Sequence, residues 1–430
     1  MLDIGFIREN ADLIKAGAVK KHLKVDLDRL LVVDDERKRL RQELDEKRAE
    51  QNRASHNIVR MEAAEKAKVL ESMRHLKEGM AEVEESYKKA MEEWQTLMLS
   101  VPNIPDISVP EGTADTDNQE IRVWGEKPEF SFAPKSHIEL MTRLDMADFE
   151  RGAKVAGFRG YFLKNDGALL SYALWHFLSD HFVRKGGFVP MITPSLVKRE
   201  AFLGTGYLPQ GEEDLYKTQD GDYFTGTAEV GTMAYHMDEI IEKKDLPLRF
   251  FSFSPGFRRE AGAHGKDTKG LVRVHEIYKF EQVVLGEASH EESVRLHEEL
   301  TANAEEVVQA LGIPYHVVAN CGGDLGLGQV KKYDIECWMP SEGTYRETHS
   351  SSYFHDFQAR RLNIRYRDTD LPDGKAGGTL KFVHSLNNTA LATPRILAVI
   401  VENFQQEDGT IRVPEALVPY VGKTVIGKSG

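Results

Sequence analysis

From Val33 onward, core-type positions step alternately by four and three: Val33, Arg37, Leu40, Leu44, Lys47, Gln51, Ala54, Ile58. A second run keeps the same rhythm through Val69, Met73, Leu76, Met80, Val83, Tyr87, Ala90, Trp94 and Leu97. No proline interrupts residues 1–101. Two sustained heptad seams predict two long helices that turn near 60–65 and pack as an antiparallel coiled-coil hairpin. A stretch rich in Pro, Asp and Thr follows and breaks the helix. Beyond it the period shortens. Residues 250–253, 278–285 and 333–339 read as strands, and 288–311 and 395–405 as helices. Strands in succession with few crossover helices predict an antiparallel sheet and an α+β fold. The expected domains are residues 1–101, a linker at 102–119, and 120–430.

The 430 residues are 41% hydrophobic and 29% charged, ordinary for a globular protein. No apolar run approaches the ~20 residues that span a bilayer. The first residues lack a basic segment followed by an apolar one, so no secretory leader is expected. Cys321 and Cys337 are the only cysteines, too few for a disulfide framework or a four-cysteine zinc site. Zinc is not expected, and a cytoplasmic location is. The net charge of −13 argues against non-specific nucleic-acid binding through the overall field. The hairpin changes that picture locally. Residues 37–60 carry eight bases and four acids, whereas 62–98 carry six bases and nine acids. A basic helix face of this kind can neutralise phosphates. A dimerisation rod or a solvated spacer would show the same heptads.

The chemistry concentrates in Phe257-Arg258-Arg259-Glu260-Ala261-Gly262, a Gly-rich polar loop, and Leu271-Val272-Arg273-Val274-His275-Glu276 leading to Glu281. A strand ending in Arg-x-Glu, a loop and a returning strand make a hairpin whose arginine can fork onto a phosphate. There is no P-loop and no Gly-x-Gly-x-x-Gly after a strand, so a nucleotide would bind by another route.

This hairpin resembles motif 2 of the class II aminoacyl-tRNA synthetases in its seryl form. Gly187-Phe188-Val189-Pro190-Met191-Ile192-Thr193-Pro194 is similar to motif 1, and the segment from His384 to Arg395 to motif 3. Leu203-Gly204-Thr205-Gly206, Thr227-Ala228-Glu229, Tyr345-Arg346-Glu347 and Asp356-Phe357-Gln358-Ala359-Arg360-Arg361 match the seryl family in order. The resemblance spans essentially the whole chain. It implies a homodimer of a class II catalytic domain preceded by a tRNA-binding hairpin. The implied reaction activates L-serine with ATP and transfers it to serine tRNA, with selenocysteine tRNA a plausible second acceptor.

The resemblance also implies roles. Arg258 and Arg395 would be catalytic, holding the α- and γ-phosphates. ATP would further meet Arg259, Glu260, Arg273, Val274, Ile277, Glu347, Thr348, His349 and Ser350. Mg²⁺ would sit on Glu347 and Ser350, hard oxygen donors suited to it. Serine would meet Thr227, Ala228, Glu229, Arg258, Glu281, Asn387 and Thr389. The tRNA would meet Arg37, Lys38, Arg41, Lys47, Arg48 and Arg53.

Four positions depart from the family pattern. Ile277 stands where an adenine-stacking Phe is usual, His349 where Ser is, Pro394 where Gly precedes the motif 3 arginine, and Gly231 where Pro is common. A synthetase-like protein without chemistry would tolerate such changes, yet the charged set Arg258, Glu260, Glu281, Glu347 and Arg395 is complete. Ligases acting on carrier proteins lack the hairpin arm. A coiled-coil scaffold would not need the charged set. His264, His275 and His384 invite a metal reading, but structural or hydrogen-bonding roles are expected.

Overall fold

The computed structural model describes residues 1–58, 62–262, 265, 267–369 and 378–427. Arg60, His264 and Lys266 therefore lie outside the described residues, as does part of the turn expected near 60–65. Packing divides the chain into two units, Met1–Pro102 and Asn103–Gly430.

The first unit opens with two short helices, α1 (Ile4–Glu9) and α2 (Ala11–Lys20). Asp3 caps α1 by accepting from the amides of Gly5 and Phe6. Two long helices follow, α3 (Leu27–Ile58) and α4 (Ala63–Ser100). Every residue of both predicted seams is buried or half-buried, while most of their neighbours are exposed. The helices run antiparallel: Arg29 bonds Glu93 and Arg48 bonds Glu84 across the pair. Arg37 occupies its seam position by laying its guanidinium over the Trp94 ring, 4.6 Å from the centroid. Asp34 is fully buried and pairs with Arg8, Arg37 and Lys38 at 2.6, 2.7 and 2.8 Å. Burial alone would raise its carboxyl, but Lys38, Arg37 and Arg8 together hold it far below the usual carboxylate range.

The second unit is built on an eight-stranded sheet. Its strands are β1 (Gln119–Trp124), β2 (Val189–Ile192), β3 (Leu248–Phe257), β4 (Glu276–Gly286), β5 (Tyr315–Ala319), β6 (Lys331–Met339), β7 (Thr344–Tyr353) and β8 (His384–Thr393). Across the sheet the order is β1-β5-β6-β7-β8-β4-β3-β2. All pairs are antiparallel except the edge strand β2, which runs parallel to β3. This is the α+β architecture expected. Helix α5 (Asp166–Lys185), α6 (His290–Ala310) and α7 (Arg395–Asn403) contribute to a core with Phe251, Phe280, Val317, Ile335 and Leu391. Most of α7 is fully buried, Glu402 included. No helix among the described residues is long and apolar enough to cross a membrane.

The segment expected as a linker is fixed from Asn103 onward. The Asn103 amide group donates to the carbonyls of Gly328 and Phe354, and the Asp106 N–H donates to the Val330 carbonyl. Pro and Asp there terminate the helix, but the chain then lies along the second unit rather than looping free.

Candidate functional site

Strand β3 ends at Phe257, so Arg258 emerges where the ladder stops; Arg258 and His275 still exchange a backbone hydrogen bond of 3.0 Å. On the returning strand β4, the two-residue period sends Ile277, Lys279 and Glu281 to one face. Phe280, on the opposite face, joins the core. Tyr278 also turns away, its ring 5.2 Å from that of Trp175. On β8, Asn387 and Thr389 alternate in the same manner, with Thr389 opposite Glu281. On β7, Ser350 and Ser352 do so beside them.

These rows form two adjoining clefts. The first is lined by Arg258, Glu260, Arg273, Val274, Ile277, Glu347, Thr348, Thr389 and Arg395, among others. The second is lined by Tyr207, Glu229, Glu281, Gln329, Ser352 and Asn387, among others. Arg258, Lys279 and Ser350 line both, and so mark their junction.

The cations of the first cleft are held by the protein itself. Arg273 donates to Glu260 at 2.6 Å; desolvation opposes its charge, yet that bond raises its pKa. Arg395 opens α7, and its guanidinium donates to the Val272 and Glu347 carbonyls at 2.9 and 2.6 Å. Burial lowers its pKa, and Glu347 works against that. Pro394 stands immediately before the helix, so Arg395 occupies the first helical position. The Glu347 side chain is 48% exposed. Desolvation in the cleft acts to raise its pKa, but Lys332, Arg395, Arg258 and Lys279 together hold it below its ordinary value.

In the second cleft, Glu229 is fixed from two sides. The Tyr207 hydroxyl donates to it at 3.0 Å and the Gln358 amide at 2.7 Å. Burial and the nearby Glu281 push its carboxyl up, and these donors oppose the rise. Thr227 caps a short helix, Ala228–Ala234, and its hydroxyl donates to Glu281 at 3.2 Å.

Not every expected contact reaches a cleft. Arg259 is exposed and lines neither; the residue after Arg258 turns outward, and its amide is used by the Asp214 carbonyl. His349 is buried, shares a hydrogen bond with the Thr348 hydroxyl, and lines neither. Its neighbours Glu347 and Ser350 do line the first cleft. Ala228 is buried inside its helix, and Thr227 sits behind Glu281 rather than on a cleft wall. Thr389 lines the first cleft rather than the second. His275 and His384 make hydrogen bonds, to the Arg258 carbonyl and the Ser293 hydroxyl. Of the six basic arm residues, Arg37 and Lys38 are committed to buried Asp34. Arg41 and Arg48 make exposed ion pairs with Asp45 and Glu84, and half-buried Lys47 lies 3.8 Å from Glu43. Among the described residues Arg53 has no ion pair.

Tyr207, Lys279, Gln329 and Gln358 were not anticipated from the sequence. Two of them carried a signal there: Lys279 lies two residues from both Ile277 and Glu281, and Gln358 falls within a matched segment.

Residues 216–404 match the model of the tRNA synthetase class II core domain that serves the G, H, P, S and T enzymes. With the antiparallel sheet and the arginine-flanked cleft, this defines a class II aminoacyl-tRNA synthetase. Residues 1–105 match the seryl-tRNA synthetase N-terminal domain. The serine–tRNA ligase of Deinococcus radiodurans is 43% identical over 430 residues, covering 100% of this chain and 99% of its own. The seryl-tRNA synthetase of Pyrococcus horikoshii, solved with ATP, superposes with a TM-score of 0.88 at 38% identity, covering 100% of both chains. The cytoplasmic serine–tRNA ligase of Naegleria fowleri, solved with AMP, gives 0.84 at 31% identity, covering 100% of this chain and 99% of its own. The chain belongs to the serine–tRNA ligase family.

Proposed function

We propose that the first cleft takes ATP, the second takes L-serine, and the product seryl-adenylate is passed to serine tRNA. The observation that carries this reading is the junction, where Arg258, Lys279 and Ser350 serve both clefts. Two reactants in adjoining clefts meet at one point, which turns a bimolecular encounter into a positioned one. A serine carboxylate oxygen attacks the α-phosphorus, and pyrophosphate departs with the electrons of the broken P–O bond. Arg258 meets the α-phosphate, where negative charge grows on the equatorial oxygens. Arg395 and Arg273 receive the departing pyrophosphate, and Glu260 faces the adenine edge. Ile277 supplies an aliphatic face to the base in place of an aromatic one. Glu229 and Glu281 receive the serine ammonium and hydroxyl, with Asn387 beside them. Pairing both polar groups is how a site selects so small an amino acid.

Glu347 and Ser350 fit Mg²⁺: both are oxygen donors on the first cleft, and the charge of Glu347 is maintained by four surrounding cations. A bound Mg²⁺ would supply further neutralisation of the phosphates. In the second step the terminal ribose hydroxyl of tRNA attacks the seryl carbonyl. The exposed bases Arg41, Arg48 and Arg53, with half-buried Lys47, are the arm's candidates for tRNA phosphates, since the pairs that Arg41, Lys47 and Arg48 make are weak and exchangeable.

The exposed edge supports a homodimer. Strand β2 leaves one side of the sheet open, with Val189 54% and Ile192 84% exposed. Phe158, Phe162, Leu169 and Tyr172 are exposed as well, and an aromatic-lined cavity shares Phe162 and Tyr172. Unpaired edges and apolar patches of this kind mark association surfaces. A cytoplasmic setting suits two buried free thiols.

The test is ATP–pyrophosphate exchange with serine, threonine, alanine and cysteine, repeated with Arg258→Ala. Exchange with serine alone, lost in the variant, is the expected result. Exchange undiminished by the substitution would remove Arg258 from the mechanism.

A further inference from the structure

In the row Ile277, Lys279, Glu281, the outer residues have assigned ligand contacts in the reading above, and the lysine between them, although it stands at the junction, has none. Its side chain is 9% exposed, and its ammonium lies 2.7 Å from Glu281 Oε2 and 3.3 Å from Thr227 Oγ1. It lines both clefts, a property shared by Arg258 and Ser350. An ammonium has three donors. Among the described residues two acceptors reach it, which leaves a donor for a ligand at the junction.

Charge balance points the same way. The second cleft holds two carboxylates, Glu229 and Glu281, against two cations, Arg258 and Lys279. Those carboxylates suit the ammonium of an amino acid and repel its carboxylate. Lys279 counters that repulsion where the clefts meet, and its charge is felt by Glu229 on one side and Glu347 on the other. Arg258 has the α-phosphate to hold and donates to the Gly226 carbonyl at 3.3 Å. The nucleophilic carboxylate therefore needs a second cation.

We propose that Lys279 is a further catalytic residue: its ammonium, anchored by Glu281 and Thr227 at the junction of the two clefts, binds the amino acid's carboxylate and aims it at the α-phosphorus. One carboxylate oxygen forms the new P–O bond while the bond to the departing pyrophosphate breaks. The other oxygen stays on the ammonium, which remains protonated throughout. This assignment rests on the reading that the chain activates serine.

The experiment uses the full chain and ATP–pyrophosphate exchange, with L-serine as substrate and serinamide as competitor. Serinamide keeps the ammonium and hydroxyl but replaces the carboxylate by a neutral amide. In Lys279→Met, KM for serine rises about 10- to 100-fold, the loss of one charge-assisted hydrogen bond. The Ki of serinamide and the KM for ATP change by less than about 3-fold on the same basis, because neither contact is lost. Retained serinamide binding also reports that the variant is folded. Lys279→Arg restores part of the serine affinity. Equal losses of serine and serinamide would overturn the proposal, leaving Lys279 as a brace for Glu281. So would an unchanged KM for serine. Absence of serine-dependent exchange in the wild type would overturn the functional reading and this assignment together, an outcome separate from either of those.

Discussion

Glu402 lies inside α7 with no exposure, an ionisable group directly after the apolar run from Ile396 to Val401. Its Oε1 accepts from the His137 amide and from His137 Nδ1, both at 2.8 Å, and its Oε2 accepts from the Ser341 amide at 3.0 Å. The other ring nitrogen, Nε2, accepts from the Leu271 amide at 3.1 Å, which assigns the ring hydrogen to Nδ1. Leu271 and Val272 line the first cleft, so this relay fixes one of its walls from beneath. The preceding Gly270 has φ +89°, and a Cβ there would come within 2.4 Å of His137 Nε2.

The perturbation is Glu402→Gln, which keeps volume and removes charge. With its oxygen toward His137, the new amide sets an N–H against the Ser341 N–H. One buried donor is then orphaned, at about 1–3 kcal/mol, and two bonds lose their charge assistance, for a total of about 2–4 kcal/mol. The native carboxyl is held low: burial pushes it up, but the donors from His137 and Ser341 overcome that. A depressed folded pKa stabilises above the unfolded value of about 4.3 and ceases to do so as pH falls through the folded value. Urea unfolding followed by tryptophan fluorescence should therefore show the full deficit at pH 7 and a shrinking one below about pH 4. The KM for ATP should rise more than that for serine. A variant within about 0.5 kcal/mol of wild type at pH 7 would refute the reasoning.

Two further outcomes are expected. Deleting residues 30–98 should leave serine-dependent pyrophosphate exchange nearly intact and abolish tRNA charging, with the wild type's tRNA affinity falling steeply as salt rises; equal loss of both steps would contradict that division of labour. His316 bridges Glu120 and Glu336 at 2.8 and 2.7 Å, and although burial lowers its pKa these carboxylates raise it on balance. His316→Gln should therefore destabilise most below about pH 6.5 and progressively less as pH rises through the elevated folded value, a dependence read from urea midpoints at pH 6 and 9; a deficit independent of pH would exclude the charged bridge.

Period decided what the sequence could disclose. The heptad steps named the arm's seams residue by residue, because a coiled coil buries what its repeat buries. The two-residue period equally located Ile277 and Glu281 on one face and Tyr278 on the other. Helices α1 and α2, with six and ten residues, are too short to show a repeat and went unforeseen. Contiguous motif blocks also took in Arg259 and His349, which line neither cleft: Arg259 lies past the end of β3 and turns outward, and His349 alternates with Thr348 and Ser350 on β7. The supports of Glu229 were illegible for a different reason: Gln358 lies 129 positions away, and only the fold joins them. Arg37, a seam residue, and Lys38 were expected to meet tRNA, but buried Asp34, beside the seam, pairs with both.

Those particulars explain how an acidic chain can work on polyanions. Its cations are not a diffuse field but a small set stored against its own acceptors: Arg273 on Glu260, Arg395 on two carbonyls, Lys279 on Glu281. Such pairing keeps each cation oriented in the free protein, so little reorganisation remains when phosphate arrives. It also sets a threshold. The 2.6 Å Arg273–Glu260 bond is the exception: under the proposed roles it would open for Glu260 to read the base and Arg273 to meet a phosphate, and a ligand that satisfies both partners at once would compensate that loss. ATP carries both groups on one molecule, whereas pyrophosphate or adenosine alone carries one, so the proposed roles would make the cleft favour the whole nucleotide before any serine is bound.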